Sequence, residues 1–158
     1  TPAFQNTFRT MYLSQWVGSS SAFIDMATWD KNDQSPLPPP SGRVAFGGLD
    51  LSSTTDLSAF SIVTRVGEKV EIHLQMFAPE ENIIERERRD KLPYRDWVKR
   101  GWLTLNSGPT IDQDAVKMAV YKAMDQWDLK DVGYDRWNAS KLVREARVYY
   151  LSQHRHGR

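Results

Sequence analysis

Two aspartates, Asp50 and Asp135, each close a short apolar run and are followed by polar or turn-forming residues. The first run lies in RVAFGGLDLSSTTDLSAFSIV, Arg43 to Val63, and the second is LKDVGYD, Leu129 to Asp135. A strand that ends on an acid and then turns brings two carboxylates side by side when the strands are neighbours in a sheet. Carboxylates that share divalent ions can activate water and stabilise the leaving oxygen in phosphodiester cleavage. That chemistry needs at least one more oxygen ligand. Taken singly, Asp50 has other outlets: a carboxylate in an apolar strand can be solvated at a sheet edge, hydrogen-bonded, ion-paired or neutralised by a cation, since burying it unpaired is costly.

The remaining chemistry-bearing residues read more plainly. The chain has no cysteine and three histidines, which leaves carboxylates and imidazoles as ligands, and an oxygen-rich set favours Mg2+ or Mn2+. His73 lies in KVEIHLQMF, Lys69 to Phe77, where alternation puts Val70, Ile72, Leu74 and Met76 on one face and His73 on the wet face between Glu71 and Gln75. It reads as a surface residue. Asp56 follows Ser-Thr-Thr and reads as a turn cap acting through its own backbone. Asp112, Asp114, Asp125, Asp128 and Asp131 read as helix-end and loop charges, and Arg136 as either a phosphate contact or an ion-pair partner of Asp135. The sequence contains no G-x-x-x-x-G-K-[ST] phosphate loop, so this chain by itself is not expected to hydrolyse ATP.

These acids must be positioned by a fold of modest size. With 158 residues, 40% of them hydrophobic and six of them Trp, the chain can bury one core. A net charge of +1 excludes a strongly basic nucleic-acid binder by bulk charge while leaving local patches open, and no apolar run is long enough to span a membrane. Phe8, Met11, Tyr12 and Trp16 fall at helical spacing, and the proline-rich NDQSPLPPPSG, Asn32 to Gly42, reads as an extended linker and domain boundary. Beyond it the pattern predicts a β hairpin extended by Lys69 to Phe77 into an antiparallel meander, with Asp50 on the central strand. Short helices are expected over Pro79 to Asp90 and Pro93 to Gly101, and a small strand over Trp102 to Leu105. A longer helix follows, started by a Thr110/Gln113 capping box and carrying a stripe from Val116 to Trp127. The Asp135 strand should lie parallel and adjacent to the Asp50 strand, with a final helix over Trp137 to Tyr150.

GGLDLSSTTDLSAFSIV, FAPEENIIERERRDKLPYRDWVKRGWL and VGYDRWNASKLV, in this order, resemble the nuclease domain of the large terminase subunit of tailed bacteriophages. FRTMYLSQW with the later Trp29 is similar to the segment that closes the ATPase domain in that family, and the resemblance spans roughly residues 8 to 145. It implies an α/β, ribonuclease H-like mixed sheet with flanking helices, and a Mg2+- or Mn2+-dependent endonuclease acting on concatemeric double-stranded viral DNA. The implied partners are an ATPase motor, the portal protein and a small terminase subunit, with the bacterial host cytoplasm as the compartment. Position by position, Asp50 matches the first-strand catalytic acid and Asp135 the acid ending the neighbouring strand. The family's third acid lies further downstream, and no acid follows Glu145 here. The fold is therefore expected to be incomplete at the C-terminus and the chain a fragment with an incomplete site. The implied organisation is 1–31 as the tail of the ATPase domain, 32–42 as linker and 43–158 as a partial nuclease domain.

Two other readings use the same residues. The first hairpin also resembles the phosphate-binding hairpin of actin-like ATPases and sugar kinases, which would make Ser52 to Thr55 a nucleotide cradle; such proteins need a second related half, for which 158 residues leave no room. Alternatively the chain is a catalytically inactive DNA-binding remnant gripping phosphate through Lys141, Arg144, Arg147, Arg155 and Arg158, with His154 and His156 between them.

Overall fold

The structure is a computed structural model and describes residues 8, 12, 24, 26–32, 39–40, 42–52, 56–135 and 139–154. The chain divides into two compact units, 1–38 and 39–158. In the first, α1 (Met26–Asp30) is closed by the Asn32 side-chain amide, which donates to the carbonyls of Thr28 and Trp29 at 3.1 and 3.2 Å. The amphipathic helix expected from Phe8 to Trp16 lies outside the described residues, except that the Phe8 and Tyr12 rings stack 5.3 Å apart. Most of the proline-rich linker is likewise outside them.

The second unit is built on five strands: β1 (Val44–Asp50), β2 (Ser58–Val66), β3 (Lys69–Pro79), β4 (Leu103–Asn106) and β5 (Asp128–Tyr134). They form one sheet in the order β4-β3-β2-β1-β5. β1, β2 and β3 are the antiparallel meander that the short connections require, while β5 joins β1, and β4 joins β3, in parallel through helical crossovers. The strand bearing Asp50 is thus paired on both sides. It is flanked by β5 at the sheet edge, and the centre of the sheet is β2.

Each face of the sheet has its own cover. Ala45 and Leu49 of β1 and Phe60 and Ile62 of β2 meet Val116, Val120 and Ala123 of α4 (Gln113–Gln126) and Leu142 and Ala146 of α5 (Ser140–His154) in the main core. On the opposite face, Met76 and Ala78 of β3 and Leu103 and Leu105 of β4 pack under α2 (Ile83–Asp90) and α3 (Tyr94–Lys99), with Tyr94 and Trp97 as the aromatic contacts. The rest of that second face is open: Val44, Phe46, Val70, Ile72 and Leu74 are all at least half exposed.

That openness reverses the expected facing of β3. His73 pairs with Ile62 and points toward the helices, where its ring meets Trp127 edge-on at 4.9 Å, while the apolar Val70, Ile72 and Leu74 face outward. The strand alternates as expected, with its two sides exchanged. The end of α4 puts Trp127 over this part of the sheet, and the His73 ring packs against it with its Nε2 buried and without a hydrogen-bond partner among the described residues. Burial pushes the His73 imidazole below its ordinary range, Glu71 opposing and Arg43 assisting. The helix start also differs from expectation. Asp112, and not Thr110, caps α4 by accepting from the Asp114 N–H at 2.8 Å, so the Thr110/Gln113 box is not made.

Candidate functional site

Asp50 and Asp135 come together at one end of the sheet. β1 and β5 run in parallel, with Phe46 opposite Asp131, Gly48 opposite Gly133 and Leu49 opposite Tyr134, and each acid is the next residue on its own chain. Neighbouring strands lie about 4.8 Å apart, so Leu49 and Tyr134, the residues just before the two acids, are one strand spacing from each other. Both residues are exposed. Asp50 also pairs with Ala59 of β2, so its other flank is occupied by strand.

Their sharing of a face depends on a bulge. Leu129 opposes Ala45 and Asp131 opposes Phe46, which leaves Lys130 as one extra residue in β5. Because side chains alternate with period two, that extra residue flips everything after it. Leu129 and Val132 thereby both face the helices, and Asp131 and Gly133 come onto the face of Asp50; the same alternation carried one residue past β5 would bring Asp135 there too. In an unbulged pairing that kept Leu129 in the core, Asp135 would be directed to the helix side. The Asp131 carboxylate accepts from the Val132 N–H at 2.8 Å at the bulge.

Close packing holds the two strands together below the acids. A Cβ on Gly47 would sit 3.0 and 3.3 Å from the methyls of Val132 and 3.4 Å from the Phe60 ring, so any side chain there would require Val132 to shift by a few tenths of an ångström. On the acid face a Cβ at Gly48 would lie 2.8 Å from the Ser61 hydroxyl, which donates to the Gly48 carbonyl at 3.3 Å. The turn after Asp50 is closed by serines. Ser58 Oγ accepts from the Ser52 N–H at 2.9 Å, and Ser52 Oγ accepts from the Asp56 N–H at 3.2 Å. The cap is therefore Ser52, not the Asp56 side chain that the sequence suggested. Residues 53–55, most of the rival nucleotide cradle, lie outside the described residues, as does Arg136.

The other acids have structural employment. Asp112 caps α4, Asp125 accepts from the Tyr149 hydroxyl at 2.9 Å, and Asp128 pairs with Lys130 at 2.7 Å. Lys117 joins Asp114 to Glu145 across α4 and α5, and both carboxyls are held below their ordinary range chiefly by that hydrogen bond. Among the described residues no group of three or more His, Asp or Glu converges in a way that could hold a metal ion. Two adjacent exposed carboxylates are nonetheless the donor type that a hard divalent cation takes, with water or phosphate oxygens filling the remaining positions.

Comparison with known proteins bears on this arrangement. The family model described as "Terminase large subunit, endonuclease domain" matches residues 3–156. The large terminase subunit of Enterobacteria phage HK97 is 31% identical over 152 residues, covering 96% of this chain and 30% of that protein. The crystal structure of the HK97 bacteriophage large terminase superposes with a TM-score of 0.69 at 29% identity, covering 94% of this chain and 31% of that one. The chain thus spans under a third of the length of the relative it matches.

Proposed function

Because the chain belongs to the family of terminase large-subunit endonuclease domains, we propose that Asp50 and Asp135 together hold a divalent cation, Mg2+ or Mn2+, at which a phosphodiester of double-stranded DNA is cleaved. The observation that supports this reading is the parallel β1–β5 register, which pairs Leu49 with Tyr134, the residues immediately before the two acids. The ribonuclease H-like mixed sheet with flanking helices supplies the frame, and the family match over residues 3–156 favours the nuclease over the nucleotide-kinase alternative. When bound, the cation supplies Lewis-acid activation of water and charge stabilisation at the phosphate. The chain's own part is to present two exposed carboxylates at the ends of β1 and β5.

Set in the longer proteins of its family, the domain would act in DNA packaging beside an ATPase, with the portal protein and a small terminase subunit as partners in the bacterial host cytoplasm. Residues 1–31 would then be the tail of the ATPase domain, 32–42 its linker, and 43–158 the nuclease part.

A supercoiled-plasmid assay tests the activity. Manganese-dependent nicking that stops in Asp50→Asn and in Asp135→Asn is expected. Nicking that survives both substitutions, or that persists in chelator, would move the chemistry elsewhere.

A further inference from the structure

We propose that the α2–α3 hairpin is the wall against which the DNA backbone lies, gripping phosphates beside the acids through Arg88, Lys91 and Lys99. The inference takes its partner, duplex DNA, from the nuclease reading above. Placement is the first ground. The hairpin packs on Met76 and Ala78, and Met76 is linked through Ala59 to Asp50 by strand pairing, so hairpin and acids occupy the same face of the sheet. Leu57, two residues before Ala59, packs in the same cluster and brings the hairpin up to the turn that follows Asp50. β3 and β1 are two strand spacings apart, about 10 Å, a span comparable with a groove of B-form DNA.

Charge is the second ground. Residues 83–100 carry seven cations against four acids. Three of those cations are committed inside the hairpin: Arg89 to Asp90 and Arg100 to Asp96, each at 2.7 Å, and Arg95 to Glu87. Arg86 is buried. Arg88, Lys91 and Lys99 are exposed and take part in no ion pair among the described residues. Of these pairs, Arg95–Glu87 joins α3 to α2. Asp90 also accepts from the Tyr94 hydroxyl at 2.8 Å, which ties the end of α2 to the start of α3, and Lys91 between them adopts a left-handed conformation with φ 55°.

The competing basic surface is α5, where Lys141, Arg144 and Arg147 are exposed. That helix packs through Leu142 and Ala146 on the core face, and its Arg144 and Arg147 line a cleft with Tyr134, the residue before Asp135. The hairpin is preferred to α5 because it packs on the face of Asp50.

The test compares two triple variants that each remove three charges: Arg88→Gln/Lys91→Gln/Lys99→Gln in the hairpin and Lys141→Gln/Arg144→Gln/Arg147→Gln in α5. Binding to a short fluorescein-labelled DNA duplex is followed by anisotropy in chelator over a series of salt concentrations. The hairpin variant is expected to bind at least about tenfold more weakly at low salt, and its slope of log K against log salt to fall by about 2.7, the value for three lost phosphate contacts. The α5 variant should change less on both counts, and Arg88→Lys/Lys91→Arg/Lys99→Arg should bind like the parent. A hairpin variant that binds like the parent, or an α5 variant with an equal or larger loss, overturns the proposal. Manganese calorimetry on the hairpin variant separates the two readings. If manganese titrates normally while DNA binding is lost, both stand; if manganese fails to bind even the parent, the metal reading falls while the anisotropy result still decides the surface.

Discussion

Gly47 shows how strongly one residue can set the distance between the two acid-bearing strands. Its missing side chain is filled by the Val132 methyls and the Phe60 ring. Gly47→Val is expected to cost about 1–3 kcal/mol by overpacking, and to weaken manganese binding by pushing β5 from β1; calorimetry beside a denaturant titration reads both. Unchanged manganese affinity would mean that the spacing of the strands does not govern the site. His73 offers a prediction in pH. Its folded value lies below the ordinary 6.5, so the unfolded chain binds more protons in that window. Its contribution is present above 6.5 and lost as pH falls through the lowered folded value. The melting temperature should therefore drop more steeply below that pH in the parent than in His73→Gln, and parallel profiles would contradict it. Of these residues the sequence showed Asp50 and Asp135 by their place at strand ends. It did not show Gly47's neighbour, since contacts between strands distant in sequence carry no local signal, nor the burial of His73, since alternation marks two faces without saying which is covered.

At the scale of elements, the order of strands and helices was legible because the connections between β1, β2 and β3 are too short for crossovers and the α4 stripe is periodic. The bulge in β5 was not. An extra residue leaves the apolar pattern of LKDVGYD looking like an ordinary strand, yet it decides the face of Asp135. Deleting Lys130 removes the extra residue while leaving Asp131 to Tyr134 in their register with β1, so manganese binding should persist in that variant. Loss of binding with the fold intact by circular dichroism would show that the bulge shapes the site in some further way. The two sides of β3 make a second test. Phe77, 2% exposed in the main core, should cost about 3–5 kcal/mol on substitution by Ala. Ile72, 61% exposed on the open face, should cost no more than about 0.5 kcal/mol. A large loss from Ile72→Ala in a chemical denaturation series would mean that this face is covered in solution.

The molecule as a whole joins one sheet, two acids at the ends of its paired parallel strands, and a basic helical hairpin packed on the face of Asp50. The helices of the other face, α4 and α5, are there to bury Leu49, Phe60 and Leu129 and so to hold β1, β2 and β5 in register beneath the acids. The resemblance in sequence reached the family because its motifs surround those acids, while the hairpin's role was hidden in what looked like a solvated charged face. The central claim is that Asp50 and Asp135 act as one cation site. Isothermal calorimetry of manganese on the parent, Asp50→Asn, Asp135→Asn and the double variant tests it most directly. The account predicts one site in the parent, a loss of at least about tenfold in affinity in either single variant because each removes one charged oxygen ligand, and no additional loss of comparable size in the double variant. Isotherms of the single variants that overlay the parent would contradict it.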